Sequence, residues 1–391
     1  MELAVSLALS VLLAQRTVSD TEVQKVHRSA IIIDTHNDIT SRTVQGFDIG
    51  KPATDTHTDL PRMKRGGQTA EFFAVYVAGS YVEGNRSAHR ALEMIDTVRH
   101  DIIGRYPNDF VFATTADDIV RAKKTGKIAA LLGIEGGHAI EDSLRLLRSF
   151  HALGVRYMTL THSNSNNWAG SSGDSRNTGL TDLGRQVVRE MNRLGMLVDI
   201  SHVSDKTFWD VLEVSTAPPF ASHSSCRALA NIPRNMSDDM IQALARKGGV
   251  VQINFGCDFL SQKAADASAS RRGVIQKLMQ ETDARLPMGE RRAAAAKKME
   301  ELGMKPVRAT LADIVAHIDH IRKLTGSVDA IGIGSDFDGV GCVPEGLASV
   351  AEWPNLTRAL LEKGYSAEEI RKIWGGNLLR VMRAAESRRG L

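Results

Sequence analysis

The sequence predicts an α/β fold: a (β/α)8 TIM barrel that carries a helical insertion. Short apolar runs alternate with stretches of helical periodicity along the 391 residues, the pattern of strands that each feed a crossover helix. The runs are almost continuously apolar, as parallel strands buried on both faces are. Eight of them are present, and eight fit a closed barrel better than an open sheet.

The first run, Ile31, Ile32 and Ile33, leads into Asp34, Thr35, His36, Asn37 and Asp38. Side chains of an extended segment alternate sides, so His36 and Asp38 share a face. At the C-terminal end of a barrel strand, where such folds place their chemistry, the pair could seat a divalent metal. Taken alone, it reads first as a turn-capping Asp beside a half-buried histidine. The second run is FFAVYVA at 72–78, and apolar spacing over 86–106 predicts a helix. The third, IAALLGIEG, starts at Ile128 and ends at Glu135, Gly136 and Gly137; the helix of Leu144, Leu147 and Phe150 follows, closed by Gly154.

The fourth run, VRYMTLTH, ends at His162, and a loop rich in Asn, Ser and Gly leads to a helix near Asp182. The fifth, MLVDISH, ends at His202 and is followed by a helix with Phe208, Trp209 and Leu212. The sixth, PPFASHS, brings His223, and the seventh, GVVQINF, starts after Gly249. Residues 256–306 are an Ala-, Arg- and Lys-rich helical insertion, expected to pass over the barrel mouth. The eighth run, DAIGIGSDFDG, brings Asp336, and YSAEEIRKIWGGNLLRVM supplies the closing helices.

Residues 21–391 therefore read as one domain. The first 20 are a signal peptide or an N-terminal helix, because the apolar stretch 3–14 is too short to span a bilayer and lacks a basic n-region. The first case predicts a periplasmic or secreted protein, the second a cytoplasmic one. A net charge of +3 from intermixed acids and bases, without long basic runs, excludes nucleic acid as an expected partner. No stable membrane anchor is expected, since no apolar tail follows Leu391. Cys226, Cys257 and Cys342 are widely separated and odd in number, so neither a disulfide framework nor a thiolate zinc site is expected.

Together the strand ends bring His36, Asp38, Glu135, His162, His202, His223 and Asp336 to one rim. Any one alone could just satisfy local backbone groups; seven in the same topological position point to a metal-dependent hydrolytic site. Imidazole and carboxylate without thiolate suit zinc, with iron, cobalt or manganese open. Five ligands exceed what one tetrahedral zinc needs. Two ions about 3.5 to 4 Å apart would use them all, with Glu135 as the natural bridge between the His36/Asp38 and His202/His223 pairs.

The motifs IIDTHND, GIEGGHAI, TLTHSNSNNWA, LVDISHVS, SHSSCRAL, IPRNMSDD, GSDFDGV and GGNLLRV, in this order, span most of the chain. In them the sequence resembles the renal, or membrane, dipeptidase family of the amidohydrolase superfamily. The resemblance implies a barrel of the metal-dependent hydrolase type with two Zn2+ ions, one bound by His36 and Asp38, the other by His202 and His223, with Glu135 bridging. It implies that His162 faces the carbonyl of a dipeptide substrate, Arg234 its C-terminal carboxylate, and that Asp336 handles protons. A D residue at the C-terminal position is an implied substrate feature, and a homodimer stays open. The chemistry of the residues agrees. A carboxylate outside the ligand set can move a proton, an imidazole can stabilise an oxyanion, and a guanidinium fork matches a free carboxylate.

Alternatives remain at this point. Asp336 could be a sixth ligand or, with Asp338, a turn-former; Arg227 competes with Arg234 for the clamp; His162 could be a core histidine. Asp199 could orient an imidazole or merely pack, and His138, His151, His317 and His320 read as structural or solvated. Trp168 could line the pocket, with packing as the default reading. The stretch Asn254, Phe255, Gly256, Cys257 lacks the tyrosine found nearby in mammalian members, which leaves that loop's substrate contacts open. Other classes to weigh are a metal-dependent phosphoesterase or lactonase on the same rim, and a non-enzymatic protein that keeps a metal for stability.

Overall fold

Among the described residues, nine parallel strands form one sheet: β1 (Ile33–Asn37), β2 (Ala70–Tyr76), β3 (Phe110–Phe112), β4 (Ile128–Glu135), β5 (Val155–Thr159), β6 (Leu197–Asp199), β7 (Phe220–Ser224), β8 (Val250–Ile253) and β9 (Ile331–Ile333). The structure is a computed structural model and describes residues 17–281, 297–299, 301–304 and 307–390. Hydrogen bonding runs in the order β1-β2-β4-β5-β6-β7-β8-β9, with β3 outside this path on β4. The ring closes through the parallel bridge Asn37 to Phe337, where Asp38 N donates to Phe337 O at 2.9 Å and Asp336 N to His36 O at 3.0 Å. The nearly closed eight-stranded barrel is the fold the sequence predicts. The strand that the sequence reading did not include is β3, which pairs only with β4 beside the ring.

Between the strands, helix starts are written into the sequence. Thr181, Ser204 and Ser237 accept backbone N–H groups at the starts of Asp182–Leu194, Asp205–Val214 and Asp238–Arg246. Capping boxes of Thr115 with Asp118 and of Thr310 with Asp313 open Ala116–Thr125 and Leu311–Thr325. The helix expected over 86–106 is α-helical over Ser87–Thr97 and continues as a π-helix over Val98–Gly104.

Inside the barrel the buried Tyr157 ring packs on Phe72 and Phe220, with centroids 5.2 and 5.4 Å away. A Cβ at Gly133 would collide with that ring, so β4 must carry glycine there. This packed floor supports the strand ends above it.

One expectation is overturned: Cys257 and Cys342 form a disulfide, with Cα atoms 5.5 Å apart. They are 85 residues apart in sequence but lie just beyond β8 and β9, two neighbouring strands. Spacing along the chain hid what the barrel brings together. Cys226 is buried and free. Within the insertion the helices Cys257–Leu260 and Gln262–Glu281 are described. Residues 1–16, the stretch read as a signal peptide or helix, and most of 282–306 lie outside the described residues. Among the described residues no helix is long and apolar enough to cross a membrane.

His317 is structural, and the structure gives it a pH signature. Its buried ring accepts from Cys226 N at Nδ1 (3.0 Å) and donates from Nε2 to Leu260 O (3.0 Å). Burial lowers its pKa to about 4; a proton on Nδ1 would displace the Cys226 N–H. The folded value lies below the unfolded one, so this contribution, about 3 kcal/mol, is complete above pH ~6.5 and is lost as pH falls toward ~4. Denaturant unfolding measured across that window is expected to show a shallower pH slope in His317→Asn than in the parent chain.

Candidate active site

At the C-terminal rim, β1 supplies His36 and, one residue on, Asp38; β4 ends on Glu135; β7 contains His223. His162, His202 and Asp336 each stand three residues beyond β5, β6 and β9. All seven strand-end residues converge. Ligand atoms within each of three groups lie within 4.8 Å of one another: His36, Glu135 and His223; Glu135, His162 and His202; His36, Asp38 and Asp336. Glu135 is central. Its Oε2 is 3.4 Å from His36 Nε2, and its Oε1 is 3.0, 3.5 and 3.6 Å from Nε2 of His202, His223 and His162. His36 Nε2 is also 3.3 Å from Asp38 Oδ2.

The ring orientations have causes. The Tyr157 hydroxyl donates to Thr35 O at 3.1 Å and so accepts from His36 Nδ1 at 2.8 Å. The Ser222 hydroxyl donates to Asp199 Oδ2 at 2.6 Å and accepts from His223 Nδ1 at 2.8 Å. Both rings thus turn Nε2 toward Glu135. Asp199 orients an imidazole, but through Ser222; its other partners include Ser201 N and Ser222 N. His202 takes a left-handed φ of 65°, uncommon outside glycine, which turns its ring to the rim. A Cβ at Gly339 would collide with the Asp38 and Asp336 carboxylates, so only glycine lets that loop pass so near.

The donor set fits a metal. His36 Nε2 is buried without a hydrogen-bond partner, and the Nε2 atoms of His202 and His223 face each other at 2.9 Å. Two imidazole nitrogens this close, in a buried pocket with a carboxylate, suit a shared cation of the zinc type. Burial pushes the Glu135 carboxyl up, but the imidazoles of His36, His162, His202 and His223 outweigh it and hold it well below the usual range. Burial, then Arg234 for His202 and His36 for His223, depresses both imidazoles, which stay neutral as ligands must. Burial with Asp38 and Glu135 nearby raises the Asp336 carboxyl well above the ordinary carboxylate value.

Around this centre Asn254 donates to Asp336 Oδ2 at 2.7 Å. Arg234 donates from Nη2 to His223 O at 3.0 Å and from Nη1 to Ser224 Oγ at 3.3 Å, and its buried Nε–H has no acceptor. Arg227 is committed elsewhere, in a two-point pair with Asp205 at 2.7 Å for each contact. Of the two candidate clamps, only Arg234 stands beside the centre with an unmet donor. Asp338 accepts His57 N at 2.7 Å in a turn, while Trp168 and His138 are buried packing residues. Sequence reasoning missed Tyr76, whose ring meets His162 edge-on at 4.9 Å and whose hydroxyl burial pushes up to about 12. Its position near the C-terminal end of the second run was the signal.

The family model for membrane dipeptidases, peptidase family M19, matches residues 20–390. The chain belongs to this family. It is a metallo-dipeptidase, a hydrolase of the TIM-barrel type. An uncharacterized dipeptidase of Schizosaccharomyces pombe is 33% identical over 395 residues, covering 95% of this chain and 84% of the relative. The crystal structure of the probable dipeptidase PvdM from Pseudomonas aeruginosa is 28% identical, with a TM-score of 0.80 over 94% of this chain and 98% of that one. A metallo peptidase from Rhodobacter sphaeroides, liganded with a phosphinate mimic of the dipeptide L-Ala-D-Ala, is 26% identical, with a TM-score of 0.74 over 91% of the dipeptidase and 99% of that chain.

Proposed function

We propose that the dipeptidase uses two Zn2+ ions, held by His36 and Asp38 on one side, His202 and His223 on the other, with Glu135 shared. The observation that carries this is the carboxylate of Glu135 set among four Nε2 atoms at 3.0 to 3.6 Å. Metal held there supplies Lewis acidity, which makes water nucleophilic near neutrality and polarises a carbonyl. His162 is the most exposed of the four imidazoles, at 19% of its side chain, and is read as the donor to the carbonyl oxygen rather than as a ligand. Asp336 takes the proton of the attacking water and returns it to the departing amine as the C–N bond breaks. Arg234, with its unmet Nε–H, binds the substrate's C-terminal carboxylate in its planar fork.

Such a clamp selects short substrates with a free carboxylate. The phosphinate mimic of L-Ala-D-Ala in the Rhodobacter sphaeroides neighbour supports acceptance of a D residue at the C-terminal position. The Cys257–Cys342 disulfide supports an oxidising, periplasmic or extracellular compartment.

Chelator-treated protein is expected to lose dipeptide hydrolysis and regain it with zinc, with two equivalents per chain at full activity. L-Ala-L-Ala and L-Ala-D-Ala should both be cleaved, while aryl phosphates and lactones should not. Recovery at one equivalent contradicts the binuclear reading; turnover of phosphates in preference to dipeptides contradicts the substrate reading.

A further inference from the structure

Arg234 is held by more than its own hydrogen bonds. Its Cζ stands 5.2 Å from the centroid of the Phe259 ring, a cation over an aromatic face. The next residue, Asn235, donates from Nδ2 to the Phe259 carbonyl at 2.9 Å. Two consecutive residues thus grip one phenylalanine.

Phe259 belongs to the single helical turn Cys257–Leu260, too short to hold its own shape. Outside ties fix it. Cys257 is bonded to Cys342 and donates from N to Cys342 O at 3.1 Å, while Leu260 O accepts from His317 Nε2 at 3.0 Å. The entry to the turn is set by Asn254, whose Oδ1 accepts from Gly256 N at 2.6 Å. By contrast, Arg234 makes no ion pair among the described residues, so none of their carboxylates fixes its plane.

A guanidinium binds a carboxylate through two parallel N–H groups only in its own plane. A long side chain that lost its stacking surface would rotate, and recognition would weaken without any change at the reacting atoms. We propose that Phe259 is a positioning residue: the pinned turn Cys257–Leu260 is a shelf that aims the Arg234 fork and so sets affinity for the substrate carboxylate. This rests on the reading of Arg234 as the carboxylate clamp.

The test compares a dipeptide with its C-terminal amide, which lacks the charge, on zinc-loaded enzyme. Phe259→Ala is expected to raise KM for the free acid about tenfold with kcat within about twofold, and to leave kcat/KM for the amide as in the parent. Phe259→Tyr should restore KM. The paired change Cys257→Ser with Cys342→Ser should shift KM in the same direction. Metal content and thermal midpoint are measured for each variant; if Phe259→Ala does not fold, Phe259→Leu replaces it. An unchanged KM, or a loss shared equally by acid and amide, overturns the shelf. Arg234→Ala separates the two readings. If it abolishes the preference for acid over amide while Phe259→Ala keeps it, only the shelf falls; if it preserves the preference, the clamp falls and the shelf with it.

Discussion

Replacing Glu135 by Gln is expected to lower kcat/KM by about three orders of magnitude or more and to strip the protein of metal. The substitution keeps the shape and removes the charge. Four imidazoles then face a neutral amide whose NH2 group points a donor into a pocket built for cations. Each ligand pair then loses the ligand the two sites share, and the pocket loses the negative charge that offsets the cations. Steady-state kinetics with metal analysis on the same sample checks this. A Glu135→Gln enzyme with full metal and near-normal turnover contradicts the bridging role.

Asp336→Asn should fail differently. Here kcat is expected to fall about a thousandfold, while metal content stays at the parent level and KM moves only a few-fold. The carboxyl group lies against His36 and Asp38 and accepts from Asn254, so an amide of the same size fits but cannot carry a proton from water to the leaving amine. If metal is lost along with activity, Asp336 is a ligand. The group of His36, Asp38 and Asp336 within 4.8 Å makes that the natural rival, and the two variants together decide between them.

Much of this was legible in the sequence because the barrel repeats one placement rule. His36 and Asp38 share a face by strand alternation, and each of Glu135, His162, His202, His223 and Asp336 closes or follows a separate apolar run. Where the chemistry depends on neighbours distant in the chain, pattern fell silent. Motif position favoured Arg234 over Arg227 as the clamp, but no spacing showed that Arg227 pairs with Asp205. The bond between the Tyr157 hydroxyl and His36 joins residues 121 apart in the chain, which no local pattern signals. The Cys257–Cys342 pair was invisible because adjacency of β8 and β9 is a property of the closed sheet, with most of an insertion between the two cysteines in sequence. Adjacency of β7 and β8 in the same sheet likewise brings Phe259 against Arg234.

Anomalous diffraction at the zinc edge from crystals of the zinc-loaded protein tests the central claim most directly. Two peaks are expected, flanking the Glu135 carboxylate, one toward His36 and Asp38 and one toward His202 and His223. A single peak, or density away from Glu135, contradicts it.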